Sequence, residues 1–221
     1  RPVLLAAVSN HETAPGASSS LVVLRLVAAD GNLRAVVEPW PHVPAVTAPI
    51  SRLASADFDG DGQLDLFVGS HAIPGFYPKA GTSRLFRGTN GVVLPEAVTV
   101  PGLDSAGLVE GATWTDSDGD GDPDLVLACE WGPIRIFRNQ KGRLESWDPS
   151  VRVAGAAPIP LSRMNGWWTG VAPGDFDGDG RMDLVVGNWG LNTGYEATPD
   201  RPLKLYHGAL GGGEFYDLIE A

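Results

Sequence analysis

Apolar residues in this chain come in short bursts broken by Gly, Pro, Asn and Asp. Bursts of four to eight residues bounded by turn formers predict β-strands. The pattern places strands at Val3 to Val8, Leu21-Val-Val-Leu-Arg-Leu-Val27, Arg84-Leu-Phe-Arg-Gly88, Arg135-Ile-Phe-Arg-Asn139 and Lys204-Leu-Tyr-His-Gly208. No window of 11 or more residues holds a helical period, and Pro39-Trp-Pro-His-Val-Pro44 opposes a helix directly.

The strand signals belong to a repeat. Asp57-Phe-Asp-Gly-Asp-Gly-Gln-Leu-Asp65 is followed by Leu-Phe-Val-Gly, Asp116-Ser-Asp-Gly-Asp-Gly-Asp-Pro-Asp124 by Leu-Val-Leu-Ala, and Asp175-Phe-Asp-Gly-Asp-Gly-Arg-Met-Asp183 by Leu-Val-Val-Gly. The first aspartates stand 59 residues apart in both intervals. Small and apolar runs precede each loop: Leu53-Ala-Ser-Ala56, Gly111-Ala-Thr-Trp-Thr115 and Thr169-Gly-Val-Ala172. A unit of this size with about four short strands predicts an all-β chain of β-propeller blades, each of about four antiparallel strands. The 221 residues hold about 3.7 such periods. The expected blade pieces are 1–49, 50–108, 109–167 and 168–221.

Each loop sets aspartates at positions 1, 3, 5 and 9 and glycines at 4 and 6. Carboxylates this close repel unless a cation neutralises them, and the glycines permit a sharp turn. Hard oxygen donors at this spacing suit Ca²⁺, which takes six to eight of them. The expected ligands are Asp57, Asp59, Asp61, Gln63 and Asp65; Asp116, Asp118, Asp120, Asp122 and Asp124; and Asp175, Asp177, Asp179, Arg181 and Asp183, giving three Ca²⁺ sites. Gln63, Asp122 and Arg181 would contribute backbone carbonyls at position 7, by analogy with the EF-hand. Position 12 holds Val68, Leu127 and Val186 instead of the EF-hand Glu, so these are not EF-hands. Residues 209–217 fit the same frame with Asp217 at position 9; a decayed loop without a metal and an ordinary Gly-rich turn are both open readings.

The net charge is −11, from 27 acidic and 16 basic residues. The loops hold four, five and four of the acidic residues, so the rest of the chain is slightly basic. Acidity and the lack of a basic cluster exclude nucleic-acid binding, and no apolar run reaches membrane-spanning length. The single cysteine, Cys129, excludes an internal disulfide and reads as a buried apolar residue. The chain opens on Arg1 and stops within an apolar pattern, as a piece of a longer protein would.

With its loops, strands and period, the chain resembles FG-GAP/VCBS repeat proteins, the blades of integrin-α-type β-propellers. Asn165-Gly-Trp-Trp-Thr-Gly-Val-Ala and Gly187-Asn-Trp-Gly-Leu-Asn192 look most like bacterial secreted VCBS proteins related to the cartilage acidic protein group. The resemblance implies a Ca²⁺-bearing propeller that is extracellular or on the cell surface, the bacterial periplasm included. It also implies adhesion or the binding of a protein or glycan. Further blades or copies of the same protein are alternative partners.

The seven tryptophans read first as packing between blades. Trp189, with Asn188 and Asn192, is the first choice for a glycan or peptide contact. His11, His42, His71 and His207 are scattered, and His11-Glu12 reads as a surface loop. No hydrolase, zinc-protease or nucleotide-loop motif is present, so a non-catalytic binding module is expected. A structural subunit of an envelope or fibre assembly and part of a calcium-dependent polysaccharide lyase are the alternatives.

Overall fold

A computed structural model describes residues 3–8, 20–29, 32–39, 49–90, 92–152, 155, 157–190, 194–195, 201–210, 212 and 217–221. The described residues form strands and one turn of 3₁₀ helix at Leu161–Arg163. The strands are β1 (Val3–Val8), β2 (Ser20–Ala29), β3 (Asn32–Pro39), β4 (Ile50–Ala56), β5 (Asp65–Ser70), β6 (Arg84–Thr89), β7 (Val92–Val98), β8 (Leu108–Thr115) and β9 (Asp124–Glu130). They continue as β10 (Arg135–Asn139), β11 (Leu144–Trp147), β12 (Ser150–Val151), β13 (Ile159–Pro160), β14 (Trp168–Gly174), β15 (Asp183–Asn188), β16 (Leu205–Gly208) and β17 (Asp217–Glu220).

All pairings are antiparallel between chain neighbours. Sheet one is β1-β2-β3, sheet two β4-β5-β6-β7 and sheet three β8-β9-β10-β11. The architecture is all-β, sheets two and three are the four-stranded units that the repeat predicts, and among the described residues no sheet closes into a barrel. The last repeat differs: β14-β15 and β16-β17 stand as separate two-stranded sheets among the described residues.

Period-two alternation explains how the sheets stack. In β5, Phe67 faces one way, into a core with Phe58, Leu85, Val109, Leu125, Leu127, Cys129 and Phe137. Its neighbours Leu66 and Val68 face the other way, onto Leu21 and Ile50. In β9, Val126 turns from Leu125 and Leu127 to meet Ile134, Ile136 and Leu161. Both strands are therefore buried on both faces, which is why they read as unbroken apolar runs. Cys129 is in this core, and burial pushes its thiol up to about 11.

The first strands of successive sheets, β4, β8 and β14, pack against one another. Gly111 in β8 makes this possible, since a Cβ there would sit 2.8 Å from Gly170 Cα and 2.9 Å from Val171 N. Backbone cannot swing aside as a side chain can. Gly111→Ala is expected to cost about 2 kcal/mol, read as a lower urea midpoint with an unchanged slope.

Candidate functional site: acidic loops and a latch at the opposite end

Each acidic loop folds around its own position 1. Asp116 Oδ1 accepts from the N–H groups of Gly119 (2.8 Å) and Asp120 (3.1 Å), and Oδ2 from Gly121 (2.9 Å). Asp175 makes the same three contacts with Gly178, Asp179 and Gly180, and Asp57 accepts from Asp61 and Gly62. Position 5 accepts from the N–H of position 7, where Asp61 holds Gln63 at 2.8 Å, Asp120 holds Asp122 at 2.9 Å and Asp179 holds Arg181 at 2.9 Å. The glycines at positions 4 and 6 all take positive φ, from +75° to +93°, as a turn this tight requires.

Position 9 ties the loop to the sheet. Asp65 and Asp124 are buried, and each spends both oxygens on backbone N–H groups. Asp65 accepts from Phe58 (3.1 Å) and Gly88 (2.9 Å), Asp124 from Ser117 (2.8 Å) and Asn139 (2.7 Å). Burial raises both carboxyls above the ordinary range, these N–H groups oppose the rise, and nearby loop aspartates add to it. Asp183 repeats the first contact, with Phe176 at 2.9 Å.

Among the described residues, three groups of carboxylates converge, each with oxygens within 4.8 Å of one another: Asp57, Asp59 and Asp61; Asp116, Asp118 and Asp124; Asp175, Asp177 and Asp183. Position 9 thus joins the cluster in the second and third loops, whereas position 5 joins in the first. The donors are all hard oxygens, and buried Asp59 Oδ1 has no hydrogen-bond partner. Such a set fits a hard cation such as Ca²⁺.

Basic side chains lean on the clusters. Arg87 Nε reaches Asp59 at 2.7 Å, Arg138 lies 3.8 Å from Asp118, and Arg181 clasps Asp179 at 2.7 Å. Arg181 accordingly lowers the Asp179 carboxyl. Arg87 and Arg138 occupy matching places in the repeated Arg-x-Phe-Arg strands. That repetition was the signal for their role.

A second constellation sits at the other end of the same strands. The loops lead into β5, β9 and β15; His71, Trp131 and Trp189 follow them. His71 Nε2 lies 2.9 Å from Glu110 Oε1 and 2.9 Å from Glu130 Oε2. Arg52 Nη2 donates to Glu110 Oε2 at 2.9 Å. The Tyr77 hydroxyl donates to Glu130 Oε1 and accepts from Trp131 Nε1 at 2.5 Å. These contacts latch the second sheet and the loop between its β5 and β6 onto the third.

Trp131 continues the constellation. It holds φ at +54°, a costly conformation for a bulky residue and one that clusters at functional sites. Its ring lies 5.1 Å from that of Trp167, which lies 4.5 Å from Trp189. Trp189 is 45% exposed. Trp114 instead stacks on Phe58 at 6.0 Å between sheets, and Trp147 and Trp168 pack on the third core. The expectations for Trp40, His11, Glu12, His42 and Asn192 lie outside the described residues, as does most of 209–217; Asp217 itself pairs with Gly208.

The bonds to Glu110 and Glu130 raise the His71 imidazole to about 9, and His71 in turn lowers Glu110. The imidazolium is favoured in the folded state, so the latch stabilises fully below the unfolded value of about 6.5 and fades as pH climbs through about 9. With Ca²⁺ present and transition metals absent, unfolding free energy is expected to fall by about 3 kcal/mol between those limits. His71→Gln should flatten that slope.

Residues 116–186 match the FG-GAP-like repeat family. Cartilage acidic protein 1 of Homo sapiens is 32% identical over 124 residues, and that of Mus musculus 33% identical over 124 residues. Each match covers 52% of this chain and 18% of the relative. The chain therefore contains a region related to FG-GAP repeats and is homologous, over about half of its length, to cartilage acidic protein 1. It spans about a fifth of the length of these relatives. No helix among the described residues is long and apolar enough to cross a membrane.

Proposed function

We propose that this chain is a non-catalytic β-propeller module that binds a protein or glycan outside the cell or at its surface, braced by Ca²⁺ in three loops. The carboxylates converging at the same end of three successive repeats carry the reading. Largely exposed loops fit weak sites, of the kind that fill at extracellular Ca²⁺ concentrations. In this reading the blade pieces are 1–49, 50–108, 109–167 and 168–221, and the protein is secreted, of the bacterial VCBS type.

The binding surface in this reading is the end that carries Trp131, Trp167 and Trp189. Indole rings offer a broad apolar face with a polar edge, suited to sugar rings and to peptide side chains. Binding rather than catalysis is favoured because Glu110 and Glu130 are already engaged by His71, Arg52 and Tyr77. Equilibrium dialysis is expected to count three Ca²⁺ per chain. A glycan and protein array should report a ligand that Trp189→Ala loses while the Ca²⁺ count stays the same. A chain that retains no Ca²⁺ overturns the first half of the reading, and an unaffected Trp189→Ala variant the second.

One observation favours a subunit of a larger assembly. Phe58 and Phe67 are 2% and 0% exposed beneath the next sheet, whereas their counterparts Phe176 and Val185 are 62% and 55% exposed. Light scattering distinguishes the readings, since a subunit of this kind associates with concentration and a free-standing module stays monomeric.

A further inference from the structure

We infer that His71, Glu110 and Glu130 form a binding site for a divalent first-row transition cation of the Zn²⁺ type, separate from the acidic loops. The three side chains each offer one ligand atom, and these atoms lie within 4.8 Å of one another. Their convergence is more than an ion pair needs. A protonated Nε2 carries one hydrogen, which can point along one line only. Two carboxylate oxygens nevertheless stand 2.9 Å from that one nitrogen, Glu110 Oε1 and Glu130 Oε2. A proton satisfies one of them well, whereas a cation among the three atoms satisfies all three.

The surroundings supply an independent argument. Metal-binding side chains are held in place by an outer ring of hydrogen bonds to their remaining atoms. Both glutamates have this support. Glu110 Oε2 is fixed by Arg52 at 2.9 Å, and Glu130 Oε1 by the Tyr77 hydroxyl, itself fixed by Trp131 Nε1 at 2.5 Å. Each carboxylate thus has one oxygen anchored and the other turned to the common point. The ligands come from well-defined places: the residue just after β5, the body of β8 and the last residue of β9.

Donor chemistry selects the ion. One imidazole nitrogen with two carboxylate oxygens suits Zn²⁺ and its neighbours. It suits Ca²⁺ poorly, because Ca²⁺ requires six or more oxygens. The consequence is a staple between the second and third sheets at the end away from the loops.

The test is titration of the full chain with Zn²⁺ in excess Ca²⁺, so that the loops are already occupied. One Zn²⁺ per chain is expected. His71→Gln should abolish the event, and Tyr77→Phe should weaken it about tenfold, as loss of an outer-ring partner does. X-ray absorption of the Zn²⁺-loaded wild-type chain should show a histidine nitrogen in the coordination shell, a readout independent of whether any variant folds. No saturable Zn²⁺ binding, an all-oxygen shell, or full binding by a folded His71→Gln variant overturns the site.

Discussion

Withdrawing Ca²⁺ with EDTA is expected to lower the melting temperature by on the order of 20 °C, and adding Ca²⁺ back to restore the original curve. A ligand a hundredfold above its dissociation constant stabilises by about 2.7 kcal/mol. Three such sites together contribute about 8 kcal/mol, against a total stability of about 5–15 kcal/mol for a typical domain. A chain of this size shifts by about 2–4 °C for each kcal/mol. The chemical cause is local. Asp57, Asp59 and Asp61 crowd their oxygens within 4.8 Å, and Arg87 reaches only Asp59 among them. Without a divalent ion, the loop keeps an excess of like charge. A melting curve indifferent to EDTA would falsify the structural role of Ca²⁺, whatever the loops bind more weakly.

Asp124→Ala carries the second large effect, an expected loss of about 4 kcal/mol. Its carboxylate is fully buried and accepts from Ser117 N and Asn139 N at 2.8 and 2.7 Å. A bond to a charged acceptor contributes about 1.5–3 kcal/mol, and removal strands two N–H donors. The damage spreads through Asn139, whose amide donates to Phe58 O at 2.7 Å and so joins the third sheet to the loop of the second. Asp183→Ala removes the matching carboxylate where it is only half-buried and is expected to cost about 1 kcal/mol. Urea unfolding with and without Ca²⁺ separates the two roles of position 9. The loss of bonds to Ser117 and Asn139 persists in EDTA, whereas the contribution of a bound ion does not. Equal costs for Asp124→Ala and Asp183→Ala would remove burial as the explanation.

The loops and most strands were legible because repetition and local pattern both encode them. Gly60, Gly119 and Gly178 announce the turn, and the runs from Leu66 and Leu125 announce strands covered on both faces. The anchoring of position 9 to the sheet backbone was hidden. A ligand and a backbone anchor call for the same aspartate, and only three-dimensional contact with Gly88 or Asn139 tells them apart. The latch was hidden more completely. His71 and Glu130 are 59 residues apart and so hold the same place in successive repeats, but with Trp189 at that place in the third repeat no shared residue type marks it. They meet because β4 and β5 of sheet two pack on β8 of sheet three, a relation set by inter-sheet packing. For the same reason, Arg52 and Tyr77 carried no signal as single residues.

The order of the strands has a bearing on how the chain reaches this state. In sheets two and three each strand pairs with the one made just before it, β4 through β7 and then β8 through β11. Every hydrogen bond within these sheets is therefore available as soon as one repeat has been synthesised. Residues 50–98 can form their meander before residue 108 exists. The joints between sheets, Asn139 to Phe58 and Glu130 to His71, come into being only when the next meander docks. Assembly then resembles stacking finished plates, each new one locking the last, and avoids the slow search for distant partners that most β-rich folds face.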